Sequence, residues 1–188
     1  MTVPPGDPPA LPHQPVVIVD YDPEWPRLFE EEKARILEAC GEWLAGIEHI
    51  GSTSVPGLPA KPIIDIMPGL RRLEDGANCI APLKALGYQY LGEYGIPDRL
   101  YFNRGVPRSH HVHMYEVHKG QWDWHLLFRD YLRKYPEVAQ NYARLKYKLS
   151  AQHHDDVNVY AEAKSEFVDD VIALAAAELG VPAPRRVP

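Results

Sequence analysis

The sequence predicts one α+β domain, a mixed β-sheet flanked by helices and followed by a helical C-terminal layer. Two patterns support this fold class. Short β-branched or alternating segments are interspersed with helical apolar spacing through the first two thirds of the chain, and helical spacing alone follows from about Trp124. A length of 188 residues with 45% hydrophobic content allows one good-sized core and leaves little room for a second.

Prolines concentrate at both ends of the chain. Six of the 19 lie in residues 1–15 and three more in residues 181–188, where almost no periodic apolar pattern survives. We therefore expect flexible tails at residues 1–15 and 181–188, with a single domain over residues 16–180.

Strand and helix signals alternate at the start of the domain. The β-branched run at 16–19 predicts a strand. Asp22-Pro23-Glu24 then supplies the cap, first-turn proline and first-turn acid of a helix that ends near Gly41. Further strands are expected at 47–50 and 63–67, and the prolines between them exclude a helix there.

Later elements follow the same periodicities. A helix is expected over 73–86, because Gly87 closes its apolar pattern. Three strands and three helices complete the prediction. They are strands at 88–90, 100–102 and 111–117, and helices around 124–135, from Pro136 to about Ser150 and from Asn158 to near Gly180.

The composition argues against several classes of protein. A formal charge of −6 does not suit charge-driven binding of extended nucleic acid. The chain has no run of about 20 apolar residues to cross a bilayer and no secretory signal pattern at its start. Cys40 and Cys79 indicate neither a disulfide framework nor a thiolate metal site. We expect a cytoplasmic protein with no membrane partner.

A turn after the strand at 47–50 is the first candidate site. Gly51, Ser52 and Thr53 offer backbone N–H groups and two hydroxyls that a phosphate can approach without obstruction by a side chain. Alone this signal is weak, because Gly-Ser turns are common. Asp65 strengthens it, since a carboxylate in an apolar strand needs a metal, a cation or a hydrogen-bonding network as its partner.

A pair of histidines forms the second candidate site. Alternation along the strand at 111–117 places His111, His113 and Tyr115 on one face. Two imidazoles on one face can bind one ion, with Asp65 supplying an oxygen. The alternative is that one histidine is hydrogen-bonded in the core and the other lies on the surface.

Basic residues able to contact a phosphate are spread along the chain. Most exposed lysines and arginines only improve solubility, and Lys61, between the two motif strands, is the strongest candidate. The full set is Lys61, Arg99, Arg104, Arg129, Arg133, Lys146 and Lys164. Tyr142 with Lys146, and Tyr160 with Lys164, are spaced to share a helix face.

These motifs together resemble a known family. The stretch 49–58, followed by Lys61-Pro62-Ile63-Ile64-Asp65-Ile66, closely resembles the GrpB family of the nucleotidyltransferase superfamily. The resemblance extends over roughly 16–174, and the long first motif makes a chance match improbable. Further matching segments are His110-His111-Val112-His113, Trp124 with 128–133, Leu145-Lys146 and Tyr160 with Lys164 and Phe167.

The resemblance implies a nucleotidyltransferase-like fold and a metal-dependent site. Asp65 and Lys61 are the expected catalytic residues, and the expected metal ligands are Asp65, His111 and His113. The ion would be Mg²⁺, Mn²⁺ or Zn²⁺. The residues expected to contact a nucleotide or phosphate are Gly51, Ser52, Thr53, Lys61, Arg104 and Arg129. Fusion of similar domains to dephospho-CoA kinase further suggests a link to that enzyme.

One departure from the superfamily pattern leaves the function open. The superfamily has acid, hydrophobic, acid on the motif strand, whereas this chain has Asp65-Ile66-Met67, and Met67 is a poor ligand for a hard cation. The first hypothesis is nucleotidyl or related phosphoryl transfer to a small acceptor. The second is a module that binds a nucleotide or coenzyme-A precursor without turnover, and the third is a metal-dependent hydrolase.

Overall fold

Five strands form one mixed sheet within residues 15–184, the range that the computed structural model of the protein describes. The strands are β1 (Leu44–Ile50), β2 (Ile64–Leu70), β3 (Gln89–Tyr90), β4 (Leu100–Arg104) and β5 (His110–Glu116). Their spatial order is β1-β2-β5-β4-β3; β2 and β5 are parallel, and all other neighbours are antiparallel. The expected tails lie largely outside the described range, so that part of the domain prediction stays a prediction.

Six α-helices accompany the sheet in residues 15–184. The first helix begins at Trp25, with Glu24 as its N-cap and Pro26 in its first turn, two residues later than the start that Asp22-Pro23-Glu24 predicts. Asp22 instead accepts a hydrogen bond from the Glu24 amide in the turn that precedes the helix. The helices are α1 (Trp25–Cys40), α2 (Ala77–Ala85), α3 (Gly120–Lys134), α4 (Pro136–Gln152), α5 (Val157–Glu162) and α6 (Ser165–Leu179). The predicted α+β class, with a mixed sheet flanked by helices, is confirmed.

Strand alternation gives the sheet two different faces. One face is apolar: Ile66 of β2 and Val112 of β5 pack with Phe29 of α1 in the main core. The opposite face carries Asp65 and His111, which are direct neighbours in the parallel β2–β5 pair. Helix α3 covers this second face, and α4 and α6 pack outside it around an aromatic and aliphatic core of their own.

Two predicted elements differ from the structure. Residues 16–19 do not form a strand, because only Val19 forms a β-bridge, an antiparallel one with Ala60, while the Val16 amide donates to the His154 carbonyl. The helix expected from Asn158 to near Gly180 is divided into α5 and α6 by a turn at Ala163 and Lys164. This turn brings Lys164 to a cavity beside the sheet. Within residues 15–184, no helix combines the length and apolarity that crossing a membrane requires.

Candidate functional site

A cavity of about 270 Å³ lies between the polar face of the sheet and the helical layer. Six of the residues predicted from the sequence as site residues line it together: Gly51, Ser52, Thr53, Lys61, Asp65 and His111. We call Gly51, Ser52, Asp65 and His111 the sheet wall. The opposite side, which we call the helical wall, consists of Trp124, Phe128, Tyr142, Lys146, Tyr160 and Lys164.

Asp65 is held by two imidazoles. Its Oδ1 atom lies 3.1 Å from Nδ1 of His111 and 3.3 Å from Nε2 of His113. Burial alone would raise the pKa of Asp65, but the hydrogen bonds and positive charge of His111 and His113 outweigh it and hold that pKa far below its ordinary value. The carboxylate is therefore ionised, and it accepts one hydrogen bond from a proton-bearing nitrogen of each ring.

The two histidines differ at their second nitrogens. Nδ1 of His113 lies 3.4 Å from the guanidinium of Arg99, which only donates hydrogen bonds, so both nitrogens of His113 are engaged. Nε2 of His111 is buried and has no hydrogen-bond partner among the described residues. Burial also lowers the pKa of His113, which favours its neutral form. Nε2 of His111 is thus the histidine nitrogen beside Asp65 that no described group engages.

Gly51 makes room for the Asp65 carboxylate. A Cβ atom at this position would lie 3.1 Å from both Cβ and Cγ of Asp65 and nearer still to Oδ2. The backbone of Gly51 also has a φ of 69°, a conformation that L-residues with side chains rarely adopt. The glycine is therefore required by the packing of the carboxylate as well as by the turn.

Within the turn, Ser52 has the hydroxyl that can reach a ligand. The Thr53 hydroxyl is buried, donates to the Ile63 carbonyl at 3.2 Å and lies 3.0 Å from Nε2 of His49. These contacts connect the turn to β1 and to the loop before β2. Ser52 lines the cavity together with Tyr142. Thr53 thus shapes the turn, and Ser52 faces the cavity.

Arg104 lies outside the cavity, contrary to its expected role at a phosphate. It pairs with buried Glu32 of α1, with nitrogen–oxygen distances of 2.7 and 2.8 Å, and its guanidinium covers the Tyr88 ring. Burial favours the neutral form of Glu32, but its bonds with Arg104 prevail and lower the pKa of Glu32. Arg104 therefore stabilises the contact between α1 and β4.

Arg129 also does not reach the cavity. It forms ion pairs with Glu48 and Asp130 at 2.6 and 2.7 Å and donates to the His49 carbonyl at 3.1 Å. One turn further along α3, Arg133 donates twice to the Ser54 carbonyl, at 3.0 and 2.8 Å. Arg133 thus holds the carbonyl at the end of the Gly51–Ser54 turn, and Arg129 holds a carbonyl of β1 just before it.

The helical wall contains two lysines that the sequence offers among seven basic residues able to contact a phosphate, but that are not among the expected site residues. Lys146 is buried, and its ammonium donates to the Pro59 carbonyl. Lys164 lies over the Tyr160 ring at 4.2 Å from its centroid. The signal for both was the repeated Tyr-x-x-x-Lys spacing, which placed each lysine beside a tyrosine without indicating a common cavity. His125 of α3 also lines the cavity, and burial lowers its pKa to about 3.

Asp65, His111 and His113 form a cluster of side chains that could hold a metal ion. One ligand atom from each lies within 4.8 Å of the others. A second carboxylate is missing from this cluster: Asp65 is the only acidic residue among the described residues that line the cavity. Met67 is fully buried against Ile50, Tyr115 and Trp122, so the position where the superfamily pattern has its second acid is part of the hydrophobic core.

Comparisons with other proteins identify similar chains. The UPF0157 protein YqkA of Bacillus subtilis is 45% identical over 158 residues, which are 84% of this chain and 46% of that protein. This chain thus spans about half the length of that relative. A dephospho-CoA kinase of Mycolicibacterium paratuberculosis is 28% identical over 182 residues, covering 83% of this chain and 45% of that protein.

Structure and family comparisons agree with each other. The crystal structure of conserved protein GrpB from Enterococcus faecalis matches with a TM-score of 0.81 and 36% identity, covering 87% of this chain and 99% of that chain. The family model described as GrpB protein matches residues 15–173. On these matches, the chain belongs to the GrpB family.

Proposed function

We propose that the cavity binds a nucleotide or another small phosphate-containing molecule and transfers a nucleotidyl or related phosphoryl group to a small acceptor, as in the nucleotidyltransferase superfamily. One observation carries the proposal: the glycine turn, Asp65 and His111 line a single cavity with Lys61. In such reactions the protein contributes positioning and charge neutralisation more than covalent chemistry.

Each group in the cavity has a role in this proposal. The backbone of Gly51 and the hydroxyl of Ser52 contact the phosphate, and Lys61 neutralises its charge. Trp124 and Phe128 supply aromatic surface for the remainder of the ligand, as expected for a nucleobase. The cavity lies at or below the small end of the range for ligand pockets, about 300–1,000 Å³, which favours a compact phosphorylated ligand.

Asp65, His111 and His113 are the proposed metal ligands. One carboxylate with two imidazoles suits Mn²⁺ or Zn²⁺ better than Mg²⁺, which prefers an all-oxygen site. His111 fits this role better than His113. A metal-bound imidazole carries a proton on its second nitrogen, and in His113 that nitrogen lies against Arg99, which is itself only a donor. A bound ion would supply charge neutralisation at the reacting phosphate.

A second candidate is binding without turnover. It is favoured by Met67, which leaves Asp65 as the only carboxylate among the described cavity residues. The similarity to a dephospho-CoA kinase makes a coenzyme-A precursor a reasonable ligand class for this candidate, and a functional link to that enzyme is part of the same proposal.

Label transfer separates the two candidates. The full chain, Mn²⁺ and nucleoside triphosphates are incubated with a panel of small hydroxyl-bearing acceptors, with the label at the α-phosphate to detect nucleotidyl transfer and, in parallel, at the γ-phosphate to detect phosphoryl transfer. Group transfer predicts labelled product from the wild type and none from Asp65→Asn. Asp170→Asn is the matched control, since Asp170 is exposed on α6, and it should retain activity.

Calorimetry with the same protein tests binding alone. Saturable heat with ATP or dephospho-CoA, together with no labelled product, supports the binding module and contradicts group transfer. If the wild type neither transfers label nor gives heat with any of these compounds, both candidates are wrong.

A further inference from the structure

Three lysines from distant parts of the chain converge in the cavity. Lys61 lies in the loop before β2, Lys146 in α4 and Lys164 in the turn between α5 and α6. The ammonium groups of Lys61 and Lys164 lie 5.7 and 4.2 Å from the centroid of the same ring, that of Tyr160. We call these three residues the lysine cluster.

The lysine cluster has too little negative charge around it. Lys146 is only 2% exposed, yet the partners of its ammonium are the Pro59 carbonyl and the Tyr142 ring, whose centroid is 4.8 Å away. Lysine is almost never fully buried unless it is paired. Asp65 is the only acidic side chain among the described cavity residues, and its Oδ1 already accepts from two imidazoles.

The electrostatics of the free protein reflect this shortage. Burial lowers the pKa of Lys146 to about 7, with a further contribution from Lys164. Burial also lowers the pKa of Lys164 to about 7, with a contribution from Lys61. Contact with an aromatic ring face stabilises a cation by only about 0.5–2 kcal/mol, so the tyrosines do not replace a counter-ion.

We propose that the lysine cluster is an anion subsite for the phosphate group of a phosphomonoester, whose organic part extends toward Trp124 and Phe128. The proposal deepens the proposed function, on which it rests for the choice of ligand class, by placing a phosphate on the helical wall, across the cavity from Gly51. A phosphate dianion presents three terminal oxygens, which suits ammonium groups that arrive from three segments. Ser165, the first residue of α6, also lines the cavity, and the positive end of that helix favours the same charge.

The test measures binding of inorganic phosphate to the full chain by calorimetry and thermal shift, against chloride at equal ionic strength. Wild type should show saturable binding and a phosphate-dependent rise in melting temperature. Lys164→Met should lose roughly 10-fold to 100-fold in affinity, as expected for one lost charge-assisted hydrogen bond. Lys61→Met should show a loss in the same direction and serves as the second variant.

Lys148→Met is the matched control. Lys148 lies on α4 two residues after Lys146 but is exposed, so its removal changes the net charge equally without entering the cavity. This control should bind phosphate as wild type does. Equal responses to phosphate and chloride in the wild type, or full affinity in Lys164→Met, would overturn the proposal.

Asp65→Asn distinguishes failure of the subsite from failure of the proposed function. This variant removes the carboxylate needed for group transfer but leaves the lysine cluster intact, so phosphate should still bind and label transfer should cease. Phosphate binding with no transfer by the wild type supports the subsite and contradicts the transferase proposal. Transfer by a wild type that shows no phosphate response supports the transferase proposal and contradicts the subsite.

Discussion

The two walls of the cavity differ in how their charged groups are compensated by neighbouring residues. On the sheet wall, the charge of Asp65 is stabilised within the protein by hydrogen bonds from His111 and His113. On the helical wall, Lys146 and Lys164 have a carbonyl and aromatic rings as neighbours, and no carboxylate beyond Asp65 lines the described cavity. A compensated charge fixes geometry, whereas an uncompensated charge destabilises the free protein and is available to a ligand.

Arg104 shows what a compensated cation does outside the cavity. We expect Arg104→Met to destabilise the protein by about 3–5 kcal/mol, because Glu32 would lose its principal ion pair while remaining buried. Urea unfolding measures the change. Arg35→Met is the control, since Arg35 also pairs with Glu32 but is largely exposed, and it should cost at most about 1 kcal/mol. Equal costs for the two variants would show that burial does not decide the strength of these pairs.

Gly51 tests how rigidly the sheet wall holds its carboxylate. Gly51→Ala should destabilise by about 2–4 kcal/mol, through the positive φ and the collision with Asp65. Gly57→Ala is a matched control, because Gly57 has a φ of 74° but open space where a Cβ would lie. The difference between the two unfolding free energies isolates the collision. If the two losses are the same, the Asp65 carboxylate moves aside freely, and the sheet wall is less rigid than the geometry indicates.

The sheet wall was predictable from the sequence because its information is local. A contiguous motif carries the turn, and strand alternation placed His111 and His113 on one face. Their meeting with Asp65 required only that the two strands become neighbours, as they do in the β2–β5 pair.

The helical wall was not predictable, because three separate segments form it. The break at Ala163 and Lys164 interrupts what the spacing indicated was one helix. The sequence also does not indicate which carboxylate pairs with Arg104. That carboxylate is Glu32, 72 residues earlier in the chain. Residues 16–19 have the composition of a strand, but their backbone finds only separate partners, Ala60 for Val19 and His154 for Val16. The helix break, the ion pair and the missing strand all depend on contacts between residues distant in sequence, which local propensity does not encode.

Lys164→Met should stabilise the protein, the opposite of Arg104→Met. The pKa of Lys164 is about 7 in the folded state because of burial, against an ordinary 10.5. Between those values the unfolded chain binds the extra proton, so the lysine costs nothing well above pH 10.5, costs more as the pH falls, and reaches its full cost below pH 7. We expect a gain of roughly 1–3 kcal/mol at pH 7.

Urea unfolding at pH 6.5 and pH 9.5 checks that sign. The advantage of Lys164→Met over the wild type should be larger at pH 6.5, and Lys148→Met should show almost no advantage at either pH. A variant that is less stable than the wild type at pH 6.5 would mean that Lys164 is already neutralised in the free protein, and the contrast between the walls would disappear.

The two histidines provide the finest test, because each donates one hydrogen bond to Asp65 and they differ only at the second nitrogen. His111→Ala should weaken Mn²⁺ binding about 10-fold more than His113→Ala, a difference of about 1.4 kcal/mol. The reason is that a metal-bound His113 would turn a proton-bearing Nδ1 toward the guanidinium of Arg99, which is also a donor. The corresponding second nitrogen of His111, Nε2, has no described hydrogen-bonding group against it. Calorimetric titration of both variants with Mn²⁺ measures the difference directly. A larger loss in His113→Ala would require Arg99 to leave His113 when the metal binds, and the sheet wall would then rearrange on binding its ion.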